Sequence, residues 1–304
     1  MVAVRLAGSV GVLWGAVTAT FFLVHAMPGK TVDVLLARSQ ATPAVRDRII
    51  AEYGLDGSLL DQYLTYLGRL LTGDLGDSFV LRRPVWDAIG GQLPATLALV
   101  AATLVLTVVA SVVLAVIGAQ RRPWVRSLFS SVEALVVAVP PFWLGLLLLS
   151  VFSFSLHWFP AIGTSSLDGL VLPAIALAAH PIAVVTRVLR DGLLRVLDEP
   201  FVLSARARGV GETDLRARHV LRHAVLPVTA LLGWITGSLI GGAVIIEIVF
   251  SRPGIGRLVL SAVQNKDMPL VIGVVLLAAA VFVVVNIAVD ALAWLADPRT
   301  RGQA

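Results

Sequence analysis

The stretch SARARGVGETDLRARHVLRHAVLP, residues 204–227, separates two long apolar runs of the chain. It contains five arginines and two histidines, whereas the flanking runs consist mainly of leucine, valine and alanine. A basic segment between apolar ones is typical of an anchor that fixes membrane orientation, of a nucleic-acid patch, or of a docking surface for a partner protein. The remainder of the sequence decides among these three interpretations.

The overall composition is that of a membrane protein. Of the 304 residues, 58% are hydrophobic and only 14% are charged, compared with about 25% charged residues in soluble domains. Cysteine is absent, which excludes disulfide bonds, cysteine-ligated zinc and a thiol nucleophile. The excess of arginine over acidic residues therefore points first to loops that face anionic lipid rather than to nucleic acid.

Six segments are long and apolar enough to cross a bilayer, whose core of about 30 Å requires about 20 helical residues. The predicted fold class is an all-α membrane protein with about six transmembrane helices. The first segment is longer than the apolar region of a secretory signal and is followed by further spans, so we interpret it as an uncleaved signal anchor. The predicted spans are 8–27, 94–118, 132–155, 170–189, 225–249 and 270–295.

Arginine positions predict that both termini are cytoplasmic. Eight arginines fall between Arg187 and Arg222, whereas the short segment 156–169 has neither lysine nor arginine. Cytoplasmic loops carry the excess of basic residues, so the basic stretch lies inside. The predicted organisation is an N-terminal helix (1–27), an extracytoplasmic helical segment (28–93), and a membrane core (94–304) with a cytoplasmic loop at about 190–224.

The extracytoplasmic segment is predicted to contain two helices. Thr42-Pro43 is typical of a helix start, and the apolar spacing from Leu60 to Leu71 indicates an amphipathic helix. Gly54 and Gly73 are predicted to end the two helices.

The common nucleotide, hydrolase and metal motifs are incomplete. PGKT at Pro28–Thr31 resembles the end of a phosphate-binding loop, but Val24 stands where that loop requires glycine. There is no G-x-S-x-G or H-E-x-x-H motif. His219 and His223 have the spacing of a metal-binding pair, although a solvated pair is favoured in this arginine-rich context. We therefore predict no catalytic residue, no metal site and no bound cofactor.

The fifth span contains a regular row of glycines and one acid. Gly233, Gly237 and Gly241 recur every four residues, which predicts close helix packing within this chain or against a partner chain. Glu247, near the outer end of the same span, has two open interpretations. It is either a residue of a translocation pathway or gate, or an interfacial anchor.

Three further polar or bent positions lie within spans. His180 precedes Pro181, and the kink creates room either for a packed histidine bonded to a carbonyl or for a ligand of the pathway. Asn286 and Asp290 share a face of the sixth span and are predicted to bond an arginine such as Arg187 or Arg190. Pro140-Pro141 marks a bend in the third span.

The basic stretch itself reads as two helices joined by a bend. The fourth span continues inward, with Arg187, Arg190 and Arg195 expected near the surface, and Gly209 and Gly211 interrupt it. Thr213 is predicted to cap the second helix. Ala205 and Ala207 leave the bend with little bulk, which favours insertion into a groove of another protein. No aromatic residue occurs between Ser204 and Pro227, which disfavours a nucleic-acid interface.

These residues resemble the cytoplasmic loop of the permease subunits of ABC importers, in the dipeptide, oligopeptide and nickel subfamily, and specifically its first, B-type, peptide permease. The similarity extends over nearly the whole chain. It departs from the general loop pattern, Glu-Ala-Ala, where this chain has Leu203, Ser204 and Ala205. The stretches that carry it are EPFVLSARARGVGETDLRARHVLRHAVLP, GLDGSLLDQYLTYLGRLLTGDLGDSF, LPATLAL, PPFWLGLLL, GGAVIIEIVFSRPGIGRL and VNIAVDALAWLADPRTR.

The resemblance implies a type I importer fold, with one of two related permease subunits in the bacterial cytoplasmic membrane. Two ATPase subunits would hold ATP and magnesium, and an extracytoplasmic binding protein would deliver peptides. The bend would be a coupling helix docked on an ATPase, formed by Ser204, Ala205, Arg206, Ala207, Arg208, Gly209, Val210, Gly211 and Glu212. Nickel or another small solute is an alternative substrate.

Two other classes of function remain as alternatives. An ion-coupled carrier would use Glu247, Asn286 and Asp290, but it would be expected to contain inverted repeats and more buried acids, and the sequence shows neither. A scaffold that only anchors a cytoplasmic partner would not require a pathway.

Overall fold

The computed structural model describes residues 2–28, 50, 57–119, 122–162, 166–224 and 226–296. All regular elements within these ranges are helical, which confirms the predicted fold class. The helices are α1 (Val2–Ala26), α2 (Leu59–Leu71), α3 (Val85–Gly118), α4 (Pro123–Ala138), α5 (Pro141–Leu148), α6 (Asp168–Val196), α7 (Pro200–Ala207), α8 (212–224, with π-helical Leu215–Val220), α9 (Leu226–Val249), α10 (Ile255–Gln264) and α11 (Met268–Ala296).

Four of the described helices are long and apolar enough to cross a membrane, and they lie in α1, α3, α6 and α11. The bent pair of α4 and α5 provides a fifth if it is counted as one span. The fifth predicted span corresponds to α9, of which Ile235–Val249 forms a shorter apolar stretch. The number six therefore stays a prediction. Helix α3 begins at Val85, ahead of the predicted start of the second span.

The predicted bend at Pro140-Pro141 is confirmed. Helix α4 ends at Ala138, and α5 begins at Pro141 with its axis turned by 95°. Proline at the first position of a helix lacks only an N–H that has no intrahelical partner, whereas the same residue cannot continue the preceding helix. Helix α5 then runs into a π-helical turn, Leu149–Ser155.

One compact unit comprises Met1–Pro94 and Gly254–Val283. Its core is formed by apolar side chains of α1, α2 and α10 and of the first turns of α3 and α11. Tyr63 of α2 packs against Phe21 of α1 with ring centroids 5.3 Å apart, and its hydroxyl lies 2.7 Å from that of Thr18. The amphipathic spacing of α2 thus buries one face against the first helix.

Helix α2 ends as the sequence predicted. Its last residue is Leu71, and Gly73 adopts φ 78°, the left-handed conformation in which glycine carries no steric penalty. Ser58 caps the other end by accepting the N–H of Asp61 at 3.2 Å. The predicted start at Thr42-Pro43 and the predicted stop at Gly54 lie outside the described residues.

A buried aspartate joins the loop after α2 to the start of α11. Asp267 accepts hydrogen bonds from the Ser78 hydroxyl at 2.5 Å and from the N–H groups of Phe79 and Val80 at 3.1 and 3.2 Å. The adjacent Lys266 donates to the carbonyl oxygen of Met27 at 2.9 Å. The adjacent residues Lys266 and Asp267 therefore provide hydrogen-bond partners for polar groups of two separate chain segments. Without them, burial would leave these polar groups without partners.

The other unit comprises Ala95–Pro253 and Val284–Ala304. Helices α6 and α9 form its centre, and both α5 and α8 pack on α6. Two glycines allow close approach. A Cβ on Gly242 would lie 2.8 Å from the Leu177 side chain, and one on Gly145 would lie 3.1 Å from Phe250.

Gly273→Ala is expected to destabilise the protein by about 1–3 kcal/mol, the usual cost of overpacking. The added Cβ would lie 2.5 Å from Val85 Cγ1, and Val85 is fully buried and has a stiff, β-branched side chain. The matched control is Gly91→Ala in α3, where a Cβ meets nothing within 4 Å. The midpoint of thermal unfolding in detergent should fall for the first variant and stay equal or rise for the second, since alanine is the better helix former. Equal midpoints would show that the contact is readily relieved.

Candidate functional site

The basic loop folds into helices α7 and α8, between α6 and α9. Helix α6 ends at Val196, and a three-residue break precedes α7, which begins with Pro200 at its first position. Gly209 follows α7 with φ 80°, a conformation that favours glycine. The bend predicted at Gly209 is therefore present. The predicted cap at Thr213 is wrong, because α8 begins at Glu212 with Gly211 in the capping position.

Helix α7 has one buried and one exposed apolar face. Val202 and Ala205 are buried, whereas Leu203 is 73% exposed and Phe201 is 38% exposed. Ser204, Ala207, Arg208 and Gly209 are also exposed. The helix thus presents two large apolar side chains beside small and basic ones, and it is held to the protein by its opposite side.

Charged groups brace the bend from within the loop. Arg206 donates to Glu212 at 2.7 Å through Nε and at 3.3 Å through Nη2, which joins the end of α7 to the start of α8. The hydrogen bond with the Glu212 carboxylate raises the pKa of Arg206 above its usual value. Both partners are partly exposed to solvent, so the pair contributes mainly geometry rather than stability.

A second arginine attaches the loop to the end of α3. Arg216 donates through Nη1 to the carbonyl oxygen of Val116 at 3.0 Å and through Nε to that of Glu212 at 3.0 Å. The last carbonyl groups of a helix have no intrahelical donor and favour a positive charge. Arg216 therefore serves as a C-terminal cap of α3. Leu215 and Val220 of α8 are fully buried and secure the same attachment.

A buried ion pair holds the end of α6 against α4. Arg190 donates through Nη1 to Glu133 at 2.7 Å and through Nη2 to the hydroxyl of Ser130 at 3.2 Å. Arg190 is only 3% exposed, whereas Arg187 and Arg195 are exposed. The predicted position of all three near the inner membrane surface stays a prediction. Glu133 could have been suspected from the sequence, because it is the only charged residue of the third predicted span.

An open cleft of about 570 Å³ lies beside the chain that leads into α7. It is lined by Arg126 of α4 and by Asp191, Arg195 and Asp198 at the end of α6 and just after it. The loop thus combines an apolar helix with an adjacent cleft of mixed charge, and this combination suits contact with another protein.

Glu247, a candidate pathway residue, is fully buried in this chain. Its carboxylate accepts a hydrogen bond from the Thr96 hydroxyl at 2.5 Å. The buried Arg252 lies five residues further along the chain, beyond the end of α9, and donates to the carbonyl oxygen of Gly169 at 3.3 Å. The side chain therefore packs between helices instead of projecting to a lipid interface, and its role in a pathway or gate stays a prediction.

His180, the other pathway candidate, lies at the wall of a small cavity of about 100 Å³ between α5, α6 and α9. Pro181 and Ser238 line the same cavity. The predicted alternative of a histidine bonded to a freed carbonyl is not observed, since none of the described residues hydrogen-bonds the imidazole.

The predicted glycine row is only partly described. A Cβ on Gly241 would meet nothing within 4 Å, so Gly241 does not mediate close packing with the described part of this chain, and packing against a partner chain stays a prediction. The neighbouring Gly242 makes the close contact instead. Gly233, Asn286 and Asp290 lie in α9 and α11, but their side chains lie outside the described residues, and the packing role of Gly237 stays a prediction.

Comparison with known proteins places two family models on this chain. Residues 109–302 match the model described as binding-protein-dependent transport system inner membrane component. Residues 1–100 match the N-terminal model of the membrane components of the same transport systems.

Individual relatives are similar over almost their full length. A Brucella abortus (strain 2308) protein, whose name assigns it to a peptide transport system as a permease, is 36% identical, with 98% of this chain and 97% of that protein covered. The di/tripeptide transport system permease protein DppB of Pseudomonas aeruginosa is 35% identical, with 99% and 98% covered. The glutathione transport system permease protein GsiC of Escherichia coli K12 is 35% identical, with 98% and 97% covered.

Proposed function

Because the chain belongs to the binding-protein-dependent transport system inner membrane component family, we propose that it is the permease subunit of an ATP-driven ABC importer for peptides. The relatives named above, for peptides, di/tripeptides and glutathione, support a short peptide as the substrate. The chain spans the cytoplasmic membrane of a bacterium with both termini inside. It acts with a second, related permease subunit and does not itself catalyse a reaction.

Helix α7 is the coupling helix in this proposal. Two ATPase subunits hold ATP and magnesium, and each receives the coupling helix of one permease in a groove. When ATP draws the ATPases together, α7 transmits the movement through the break at residues 197–199 to α6. An extracytoplasmic binding protein delivers the peptide on the opposite side of the membrane.

The observation that carries the proposal is the exposure of Leu203 on a short helix anchored by Val202 and Ala205. Exposure of a leucine side chain to water is unfavourable. Burying it in a protein groove contributes about 1.5–3 kcal/mol to the free energy of binding. Leu203 stands at the first position of the Glu-Ala-Ala pattern, so this chain offers an apolar contact in place of an acidic one. The groove of its ATPase is accordingly expected to be apolar at that point.

Leu203→Glu should reduce ATP-dependent peptide uptake about tenfold or more in proteoliposomes that contain the complete transporter, because the docking contact is lost. The measurements are the uptake of a labelled dipeptide and the recovery of the ATPase with the purified permease. The thermal unfolding midpoint of the permease should not change, since Leu203 is already exposed to solvent.

The matched control is Leu71→Glu at the end of α2, which is 90% exposed and lies outside the loop. Its uptake and its recovery of the ATPase should equal those of the wild type. If the Leu203→Glu complex takes up the dipeptide and retains the ATPase as the wild type does, α7 is not part of the surface that docks the ATPase. Uptake driven by a proton gradient without ATP would contradict the importer itself and favour the ion-coupled alternative.

A further inference from the structure

The cavity beside His180 lies at the centres of two long helices. His180 is about 18 Å along α6 from Asp168, and Ser238 is about 18 Å along α9 from Leu226, at 1.5 Å per residue. Both positions correspond to the middle of a bilayer core of about 30 Å. The two polar residues thus line one cavity at the depth where transporters commonly place their substrates.

The hydrogen-bonding capacity of the two side chains is complementary. The imidazole of His180 has no hydrogen-bond partner among the described residues, so in its neutral form it retains one N–H to donate. The hydroxyl proton of Ser238 is already used, because it is donated to the carbonyl oxygen of Ile235 at 2.8 Å. The serine oxygen therefore retains only accepting capacity.

One donor beside one acceptor matches the C=O and N–H of a single peptide group. We infer that His180 and Ser238 form a contact site for the peptide bond of the substrate in transit, with His180 donating to its carbonyl oxygen and Ser238 accepting its N–H. The cavity of about 100 Å³ is smaller than the one of about 150 Å³ that holds benzene, so its size suits one peptide group.

The apolar part of the wall offers no side-chain hydrogen bond to a substrate side chain. Leu177 and Leu239 line the cavity together with the backbone of Gly242, and none of them can distinguish one substrate side chain from another by hydrogen bonding. Every dipeptide contains a peptide group, so a site that recognises only this group would accept any dipeptide. This inference rests on the proposed peptide importer and specifies one point of its pathway.

The test is uptake by the complete transporter in proteoliposomes, with saturating binding protein loaded with dialanine or with dialanine methylated at the peptide nitrogen. Ser238→Ala should lower dialanine uptake about tenfold, the upper end of the effect of losing one hydrogen bond. The same variant should leave uptake of the methylated dipeptide equal to that by the wild type, because this substrate has no N–H to offer. For each dipeptide, uptake by the variant is divided by uptake by the wild type. Because the same binding protein serves both permeases, its preference for one dipeptide over the other cancels in this ratio.

His180 is tested in parallel with two substitutions. His180→Leu should lower the uptake of both dipeptides about tenfold while stimulation of the ATPase by loaded binding protein stays within about twofold of wild type. His180→Gln, which keeps an N–H donor, should recover at least half of the uptake. Val105→Ala in α3, which is 64% exposed and does not line the cavity, is the apolar control and should transport normally.

Two outcomes overturn the inference. One is dialanine uptake by both Ser238→Ala and His180→Leu at the wild-type rate. The other is an equal loss for the methylated and unmethylated dipeptides in Ser238→Ala, which would mean a structural role. If His180→Leu does not assemble, the Ser238→Ala comparison decides. Absence of ATP-dependent uptake of dialanine, of a tripeptide and of glutathione by the wild type is a different result, and it contradicts the proposed function.

Discussion

Arg190→Met is expected to lower the free energy of unfolding by about 3–5 kcal/mol, the usual cost of removing one partner of a buried ion pair. The substitution leaves the Glu133 carboxylate, which is 6% exposed, without the guanidinium that lies 2.7 Å from it. Another charged side chain next to Arg190 is Asp191, 3.9 Å away. It is negative, so it cannot replace the guanidinium as the partner of Glu133. The thermal unfolding midpoint of the purified permease in detergent should fall, and the yield of membrane-inserted protein should fall with it.

The double variant Arg190→Met with Glu133→Leu separates the charge effect from the packing effect. Replacing both members of a buried pair by apolar side chains of similar volume is often neutral, so the double variant should recover most of the lost stability. A double-mutant cycle that includes Glu133→Leu alone measures the coupling between the two side chains. A double variant as unstable as Arg190→Met would mean that the arginine acts through packing, not through its charge.

The functional consequence of this pair follows from its place in the chain. Arg190 lies in the last two turns of α6, and α7 begins ten residues later at Pro200. The ion pair and the hydrogen bond to Ser130 hold this end of α6 on α4, so a force applied at α7 moves both helices together. In the double variant, we therefore expect peptide uptake per ATP hydrolysed to fall even where stability has recovered.

Asp267→Ala is expected to have a second large effect, a loss of about 3–5 kcal/mol of stability. Three hydrogen bonds to Ser78, Phe79 and Val80 disappear, and each buried donor left without a partner costs about 1–3 kcal/mol. The site is fully buried at both Asp267 and Ser78, so water cannot readily substitute. Thermal unfolding in detergent is again the measurement, and proteolysis of the loop at 76–84 reports local opening.

Two milder substitutions are the controls for Asp267. Asp267→Asn keeps one carbonyl oxygen and should retain part of the stability, because the amide nitrogen cannot accept from a backbone N–H. Ser78→Ala removes one of the three bonds and also the acceptor for the N–H of Leu81 at 2.9 Å, so an intermediate loss is expected. If Asp267→Ala were no less stable than Ser78→Ala, the backbone bonds to Phe79 and Val80 would not contribute.

The loop that contains α7 and α8 shows which local features the sequence predicts correctly and which it does not. Gly209 predicted the bend because few other residues adopt φ 80°, and the preceding run of small residues predicted a helix able to enter a groove. The cap at Thr213 was predicted wrongly because a capping signal is local, whereas the start of α8 is set by Arg206 bonding Glu212 and by burial of Leu215.

The sequence by itself determined the class of the molecule and the places where several of its helices bend or end. Length and hydropathy limit which segments can cross a bilayer, Pro140-Pro141 forces a bend, and Gly73 ends a helix, all through local chemistry. The motifs around Gly209 also carried the family resemblance that full-length similarity to peptide permeases later established.

Only the tertiary structure decided which distant polar groups meet. Arg190 and Glu133 are 57 residues apart, Thr96 and Glu247 are 151 apart, and Ser78 and Asp267 are 189 apart. No local pattern encodes such pairs, because the partner of a buried charge depends on how the helices cross and not on spacing along one of them. The physical reason is the cost of burial. In an apolar interior each such group must find a partner, but only the packed helices determine which one.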